Sequence, residues 1–283
     1  MSICITAWLL QAKQQLAAVT HEADVEAKYC CGFVLQQANT YLYTHGDQAL
    51  TSEHLQQLQA ILQRRLTGEP LAYILGQWHF WDFELEVAPA TLIPRADTEI
   101  LVEKALALIS PALAHIVDLG TGTGAIALAL AKERPDCQVV GLDRQMDAVD
   151  LARRNAERLQ LRNCRFLYSD WCAALAGSEH SIDLIVSNPP YIDVADPHLA
   201  CGDVRFEPSS ALVAANKGLA DIQQIIGQST VFLRAGGWLV LEHGYQQAEQ
   251  VTALLTQAGF QQVASEKDYG GQWRISFGQW YSR

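Results

Sequence analysis

Asn188-Pro189-Pro190-Tyr191 sets an amide side chain, two prolines and an aromatic ring in four consecutive residues. The prolines fix the backbone and remove two N–H donors, so local carbonyls are left facing outward as acceptors. The Asn188 side-chain oxygen and the Pro189 carbonyl can then take both hydrogens of one –NH2 group, with Tyr191 as a flat wall. An amide nitrogen needs such a grip, because its lone pair is delocalised into the carbonyl. Accepting both hydrogens aims the nitrogen and favours the positive charge that develops as it attacks an electrophile. Neither a covalent enzyme intermediate nor a metal is required. The plainer alternative, a proline-rich turn, fits less well with a tetrapeptide that directly follows an apolar strand.

A second group of residues suits a nucleotide. Val117-Asp118-Leu119-Gly120-Thr121-Gly122-Thr123-Gly124 follows another apolar strand and opens an alanine-rich segment. Glycines at a strand-to-helix turn let a ligand approach the backbone, and the cleft at the carboxyl ends of a doubly wound sheet is where nucleotides bind. Gly120, Gly122 and Ala125 also satisfy the dinucleotide pattern G-x-G-x-x-G/A, so a nicotinamide cofactor is a live alternative. Asp143, ending the next strand, has the spacing of a carboxylate that accepts from both ribose hydroxyls. Two features favour S-adenosylmethionine. Asp118, before the glycines, suits a cationic sulfonium and amino group better than a pyrophosphate. Ser169-Asp170-Trp171 offers an acceptor for an adenine amine beside a flat ring, although a strand-end turn with a buried tryptophan reads equally well.

These residues need a scaffold. From Asp97 onward strands and helices alternate. Strands are expected at His115–Leu119, Gln138–Leu142, Arg165–Tyr168, Ile182–Ser187 and Trp238–Leu241, and helices at Asp147–Leu159, Leu219–Phe232 and Gln246–Ala258. Near-continuous apolar strands separated by helices indicate a parallel sheet covered on both faces. Gln261–Glu266 and Arg274–Phe277 lie too close for an intervening helix, so the last pair is expected to be antiparallel. Asp97 is expected to cap a helix whose Leu101, Val102, Ala105, Leu108 and Ile109 face one way. Residues 192–217 are long for a connection and point to a functional loop.

Upstream, Thr6–Val19, Glu22–Ala38 and Thr51–Leu66 read as helices. In the last, Leu55, Leu58, Leu62 and Leu66 share a face, Thr51 caps the start, and Gly68 with Pro70 ends it. Trp78–Val87 alternates like a short hairpin turning at Asp82. The expected organisation is a helical domain at 1–75, a β-hairpin linker at 76–94 and an α/β domain at 95–283.

The formal net charge of −11 argues against gripping nucleic acid, which draws its affinity from neutralised phosphates. Seven cysteines without C-x-x-C or ligand spacing suggest buried, reduced thiols, hence a reducing compartment. No signal peptide or membrane span is expected, and the chain is read as cytoplasmic.

Taken together the motifs resemble the HemK/PrmC protein-glutamine methyltransferases that modify peptide chain release factors. The likeness runs through Gly68-Glu69-Pro70, Phe80-Trp81, Ile93-Pro94-Arg95-Ala96-Asp97-Thr98-Glu99, the glycine loop, Asp170-Trp171, Asn188-Pro189-Pro190-Tyr191, Arg205-Phe206-Glu207-Pro208 and Glu242-His243-Gly244. Asn-Pro-Pro-Tyr alone is shared with adenine-directed DNA methyltransferases, so a nucleic-acid exocyclic-amine methyltransferase is the alternative. The resemblance implies a class I, Rossmann-like methyltransferase fold with a seven-stranded sheet, last strand antiparallel, behind a helical substrate-recruiting domain. It implies methylation of the side-chain amide of the glutamine in the Gly-Gly-Gln motif, acting in translation termination, with S-adenosylhomocysteine as product. Gly120, Thr121, Gly122, Thr123, Gly124, Asp143, Asp170, Trp171 and Asn188 would bind cofactor. Asn188, Pro189, Pro190 and Tyr191 would hold the glutamine, Asn188 and Pro189 catalytically, with Leu92 along its aliphatic stem. The expected partner is a release factor, met as a monomer, without membrane or direct nucleic-acid binding. Two departures stand out: Ala96 replaces a proline common in the family, and Tyr269-Gly270-Gly271-Gln272 gives the chain its own Gly-Gly-Gln, expected as a turn between the last two strands.

Overall fold

In a computed structural model, which describes residues 3–109 and 114–281, the chain forms two compact units. The first holds the residues up to Gln77 together with 197–206, and the second holds 78–196 and 207 onward. The stretch 197–206 therefore clusters with the helices although the sequence places it inside the expected α/β domain.

The first unit contains α1 (Ile5–Leu16), α2 (Ala23–Leu35), α3 (Asn39–Thr44), α4 (Ser52–Leu66) and α5 (Leu71–Leu75). The Thr51 hydroxyl caps α4 by accepting from the His54 amide at 3.1 Å. The helix buries Leu58, Ile61, Leu62 and Arg65, while Leu55 and Leu66 sit at the margin of that face. Two short helices, α3 and α5, escape periodicity because each is under two turns long. Pro70, expected to end α4, also begins α5. An arginine in this core needs partners. Arg65 pairs with both Glu26 oxygens, at 2.7 and 3.0 Å, and donates to Asp203 at 2.9 Å and to the Glu69 carbonyl at 3.1 Å. Asp203 comes from 197–206, so this one guanidinium fastens that segment to the helices.

The second unit opens with the hairpin β1 (Gln77–Phe80) and β2 (Phe83–Glu86), which meets at Trp81-Asp82. A 3-10 turn at Ala96–Thr98 leads into α6 (Glu99–Leu108). Asp97 therefore lies in the turn and does not cap the helix; its carboxylate reaches Arg274 at 3.4 Å instead. Then follow β3 (His115–Leu119), α7 (Ala125–Glu133), β4 (Gln138–Asp143), α8 (Met146–Arg158), β5 (Cys164–Tyr168) and β6 (Ile182–Ser187). After two short helices, α9 (Ser209–Leu212) and α10 (Ala215–Gly218), come α11 (Ala220–Phe232), β7 (Leu233–Glu242), α12 (Ala248–Ala258), β8 (Gln261–Lys267) and β9 (Trp273–Gln279).

Seven of these strands form one sheet in the order β5-β4-β3-β6-β7-β9-β8. All neighbours are parallel except β9, which runs antiparallel to both β7 and β8. β7 begins five residues earlier than its apolar run suggested. Gly236 and Gly237 interrupt the hydrophobic signal there, and the pairing with β6 shifts register near the same point. One core lies under α7 and the other under α11 and α12. Asn155, fully buried on α8, exchanges hydrogen bonds with the Glu86 backbone and donates to the Thr123 carbonyl at 2.9 Å. It thereby ties the hairpin to the glycine loop. All seven cysteines are free thiols, and burial pushes Cys30 and Cys172 up to about 12.

Replacing Arg65 by alanine leaves Glu26 buried without a counter-charge, so unfolding of the full chain should become easier by about 3–5 kcal/mol. Arg64→Ala, at an exposed pair with Glu69, should cost less than about 1 kcal/mol. Urea denaturation followed by circular dichroism compares the two, and equal losses would remove the buried pair from its structural role.

Candidate active site

The strand order creates the cleft. From β3 the chain builds outward to β4 and β5, then returns to place β6 on the other side of β3. At such a switch point the loops at the carboxyl ends diverge and leave a crevice. Leu119 pairs with both Leu142 and Ser187, and Ser187 pairs with Leu241. The Ser187 hydroxyl donates to the Leu119 carbonyl at 2.6 Å and pins the β3–β6 ends together. Gly120, Asp143, Asn188 and Glu242 therefore emerge side by side, each one residue beyond this paired row.

The cleft between them encloses ≈ 930 Å³, its open mouth included. Its walls include Leu92, Gly120, Thr121, Gly122, Thr123, Asp143, Trp171, Asn188 and Pro190. Gly120 and Gly122 have φ of 74° and 54°, the left-handed region, and a Cβ on Gly120 would meet the Trp171 ring at 3.5 Å. Asp143 accepts the Gly122 amide on one oxygen and the Gln145 amide on the other, both at 2.9 Å. Burial lifts its pKa, against the pull of those two amides. Trp171 also has positive φ, at 46°, and is held there by Ser169, whose hydroxyl donates to the Trp171 carbonyl at 2.6 Å and accepts the Ala174 amide at 2.9 Å.

Five of the residues singled out in the sequence do not line this cleft. Gly124 is close-packed at the start of α7, where a Cβ would meet Leu128, Ala152 and Phe166 at 3.0–3.3 Å. Asp170 is exposed just before a 3-10 turn at Trp171–Leu175, so Ser169 and Trp171 contribute to the wall and Asp170 does not. Pro189 is buried off the wall to which Pro190 contributes. Tyr191 turns its hydroxyl inward, onto Glu242 Oε1 at 3.1 Å. Asp118 lies beneath the glycine loop and not beside the cleft. It is wholly buried, accepts from the Thr121 hydroxyl and the Ala127 amide, and burial pushes it up to about 7.

Other wall residues had carried no role in the sequence. Phe80 comes from the hairpin, and Pro94, Arg95 and Thr98 come from the segment before α6. Arg95 donates to both oxygens of the buried Glu207, at 2.7 and 2.8 Å, and so joins the Pro-Arg segment to the returning end of the long loop. Ser210 and Ala211, just beyond, line the cleft, and the Ser210 carbonyl accepts from Arg144 at 3.2 Å. Thr98 accepts from Asn188 Nδ2 at 3.1 Å. Only the motif spelling Pro-Arg-x-Asp-Thr-Glu pointed at this segment. Among the described residues there is no cluster of acidic, histidine or cysteine side chains able to hold a metal, and no helix long and apolar enough to cross a membrane. The chain's own Gly270-Gly271-Gln272 forms an exposed turn between β8 and β9, its Gln272 amide donating to Asp268 at 2.9 Å.

Comparison with known proteins agrees with this architecture. Residues 7–76 match the PrmC N-terminal domain and residues 112–278 match a methyltransferase domain. The release factor glutamine methyltransferase of Escherichia coli (strain K12) is 51% identical over 274 residues, covering 97% of this chain and 98% of that one. That of Vibrio cholerae serotype O1 is 48% identical over 281 residues, covering 99% and 98%. A methyltransferase from Pyrococcus furiosus superposes with a TM-score of 0.54 at 20% identity, over 78% of this chain and 98% of its own. The hMettl16 catalytic domain superposes with a TM-score of 0.56 at 15% identity, over 70% and 76%. These two likenesses establish the class I methyltransferase fold, whereas the near full-length identities establish kinship. The chain belongs to the release factor glutamine methyltransferase family.

Proposed function

We propose that this enzyme transfers the methyl group of S-adenosylmethionine to the side-chain amide nitrogen, N5, of the glutamine in the Gly-Gly-Gln motif of peptide chain release factors. One observation carries the reading: Asn188 and Pro190 line the same cleft as Gly120 to Thr123 and Asp143, so a methyl donor and an amide acceptor share one space. Family membership supplies the acceptor's identity.

The residues present fit the cofactor. Asp143 keeps lone pairs free beyond its two backbone partners, which suits the ribose hydroxyls. Trp171, whose ring packs over Gly120, forms a flat wall for the purine, and Gly120 and Gly122 admit the ligand against bare backbone. The bound sulfonium supplies an electrophilic methyl group. Asn188 Oδ1 accepts from the glutamine amide, and the Pro189 carbonyl, off the wall but bonded to the wall residue Pro190, would accept its second hydrogen once substrate is seated; together they orient the nitrogen and stabilise the positive charge of attack. Tyr191, off the cleft wall, braces the tetrapeptide through its hydroxyl on Glu242, and Leu92 flanks the aliphatic stem. The amide proton leaves afterwards, to solvent. Asp170 and Gly124, off the cleft wall, serve this reading indirectly, through the turn that holds Trp171 and the packing that holds α7. The long loop contributes Ser210 and Ala211 to the cleft wall and is tied to the Pro-Arg segment through Glu207.

Methyl-labelled S-adenosylmethionine, incubated with the protein and an unmodified bacterial release factor, should label the Gly-Gly-Gln glutamine as located by peptide mass spectrometry. Asn188→Ala should lower the rate by about 10²–10³-fold, the usual cost of one lost transition-state contact. A release factor with that glutamine replaced should take no label. Label appearing on nucleic acid and not on the release factor would overturn the assignment in favour of an exocyclic-amine methyltransferase. Asp143→Ala should weaken cofactor binding about 10–100-fold by calorimetry, as expected for lost hydrogen bonds to a carboxylate. An unchanged Kd would remove Asp143 from the ribose.

A further inference from the structure

The turn between β8 and β9 spells Gly270-Gly271-Gln272, and the needs of the fold account for only part of that spelling. Residues 269–273 are all exposed, Tyr269 at 76%. Three hydrogen bonds close the loop. The Gly271 amide donates to the Asp268 carbonyl at 2.9 Å, the Asp268 amide to the Gln272 carbonyl at 2.8 Å, and the Gln272 amide to Asp268 Oδ1 at 2.9 Å. Gly271, with φ of 81°, is the left-handed residue that ends a three-residue hairpin loop, so the turn needs a glycine there. Gly270 is not in that region, and a Cβ on it would meet a single atom, Asp268 Oδ1, at 3.2 Å. The turn asks far less of position 270.

It asks less still of the glutamine. Only the backbone of Gln272 takes part in the loop, and its side-chain amide has no hydrogen-bond partner among the described residues. Both amide hydrogens are therefore unclaimed. The two preceding glycines carry no side chains to collide with the rim of a cleft. A bare backbone followed by a free carboxamide is what a site that grips one –NH2 group requires of its acceptor.

We propose that Gln272 is itself a methyl acceptor, modified in the cleft of a second copy of this chain. The inference rests on the cleft acting on Gly-Gly-Gln glutamines and adds an acceptor that the chain carries. Gln272 Nε2 attacks the methyl carbon of S-adenosylmethionine. The N–C bond forms as the S–C bond breaks, the S–C electron pair stays on sulfur to give S-adenosylhomocysteine, and one amide proton passes to solvent. The product is a neutral N-methylglutamine, and every hydrogen bond of the turn survives because none uses that amide.

The sheet explains why the acceptor belongs to another molecule. Ile275 pairs with Glu242, so the turn rises from the same carboxyl edge as the cleft loops. In strand order, however, β9 stands two places beyond β6, about 10 Å across that edge, with β7 between them. Pairing of β7 with β9 continues past the strand end, where the His243 amide donates to the Arg274 carbonyl at 2.9 Å. On the other side the Tyr269 hydroxyl is tied to Glu103 of α6 at 2.5 Å. A three-residue loop fastened at both flanks does not fold back across β7 into its own cleft. Its tip is open to solvent, where a second copy meets it without that restraint.

Lys267 and Arg274 bracket the turn, so trypsin releases residues 268–274 as one peptide. The acceptor for the test is an affinity-tagged Asn188→Ala full-length chain, made in a host without an enzyme of this family. Alone with methyl-labelled S-adenosylmethionine it should take no label. With untagged wild-type enzyme added, its 268–274 peptide should gain the mass of one methylene, assigned to Gln272 by fragmentation. Gln272→Glu in the same acceptor should abolish the label, whereas wild-type enzyme carrying only Gln272→Glu should methylate release factor at the wild-type rate. Excess release factor should suppress label on Gln272, because both acceptors need one cleft. An unmodified peptide in a reaction that does label release factor would overturn the inference and leave the reading of the site intact. Methyl confined to the wild-type chain would overturn transfer between copies. Label on neither acceptor would overturn the Gly-Gly-Gln reading itself.

Discussion

The side-by-side termination of β3, β6 and β7 is the constraint on which the site depends. Leu119, Ser187 and Leu241 pair across three strands, and the Ser187 hydroxyl closes onto the Leu119 carbonyl. Because the three ends are level, residues 68 and 122 positions apart in the chain begin their loops one and two strand spacings from one another. A one-residue slip of β6 against β3 would carry Asn188 away from the glycine loop and turn every β6 side chain to the opposite face. The apolar burial of Leu184, Ile185 and Val186 resists that slip, so the sheet core and the geometry of the cleft are enforced by the same side chains.

The electrostatics follow from that placement. Strand ends bring Asp118, Asp143 and Glu242 into or beneath one region, and burial raises all three. Backbone amides and hydroxyls are their main partners; Arg274 stands by Glu242 and Arg144 beside Asp143. Asp143 lines the cleft together with Arg95 and Arg144, whereas Asp118 and Glu242 lie off its wall.

Strands β3 and β6 were legible in the sequence to the residue, because both are near-continuous apolar runs bounded by polar or glycine-rich turns. The consequence of their adjacency was legible too, since the Gly loop and the Asn-Pro-Pro-Tyr tetrapeptide each follow one of them. What stayed hidden was long-range or orientational. Thr98 lies 90 positions before Asn188, and nothing local to either residue announces their hydrogen bond. Phe80 read as part of a linker, yet its ring reaches the cleft because Asn155 draws the hairpin onto the glycine loop. Asp170 and Asp118 were identified by chemical type, but a 3-10 turn points one outward and the helix start claims the other. Residue type suggests what a side chain can do, whereas backbone direction decides where it does it.

The segment 197–206 leaves the second unit after Asp196, binds Arg65 through Asp203, and returns at Glu207, whose carboxylate is taken by Arg95. The polypeptide therefore crosses between the two units three times and not once. No single cut releases a whole module: a fragment beginning at Trp78 would retain 197–206 while discarding the arginine that anchors it. Exchange of the helical unit between relatives, by recombination or by design, must carry two separate stretches of sequence together, and the guanidinium and carboxylate that join them can be inherited only as a pair.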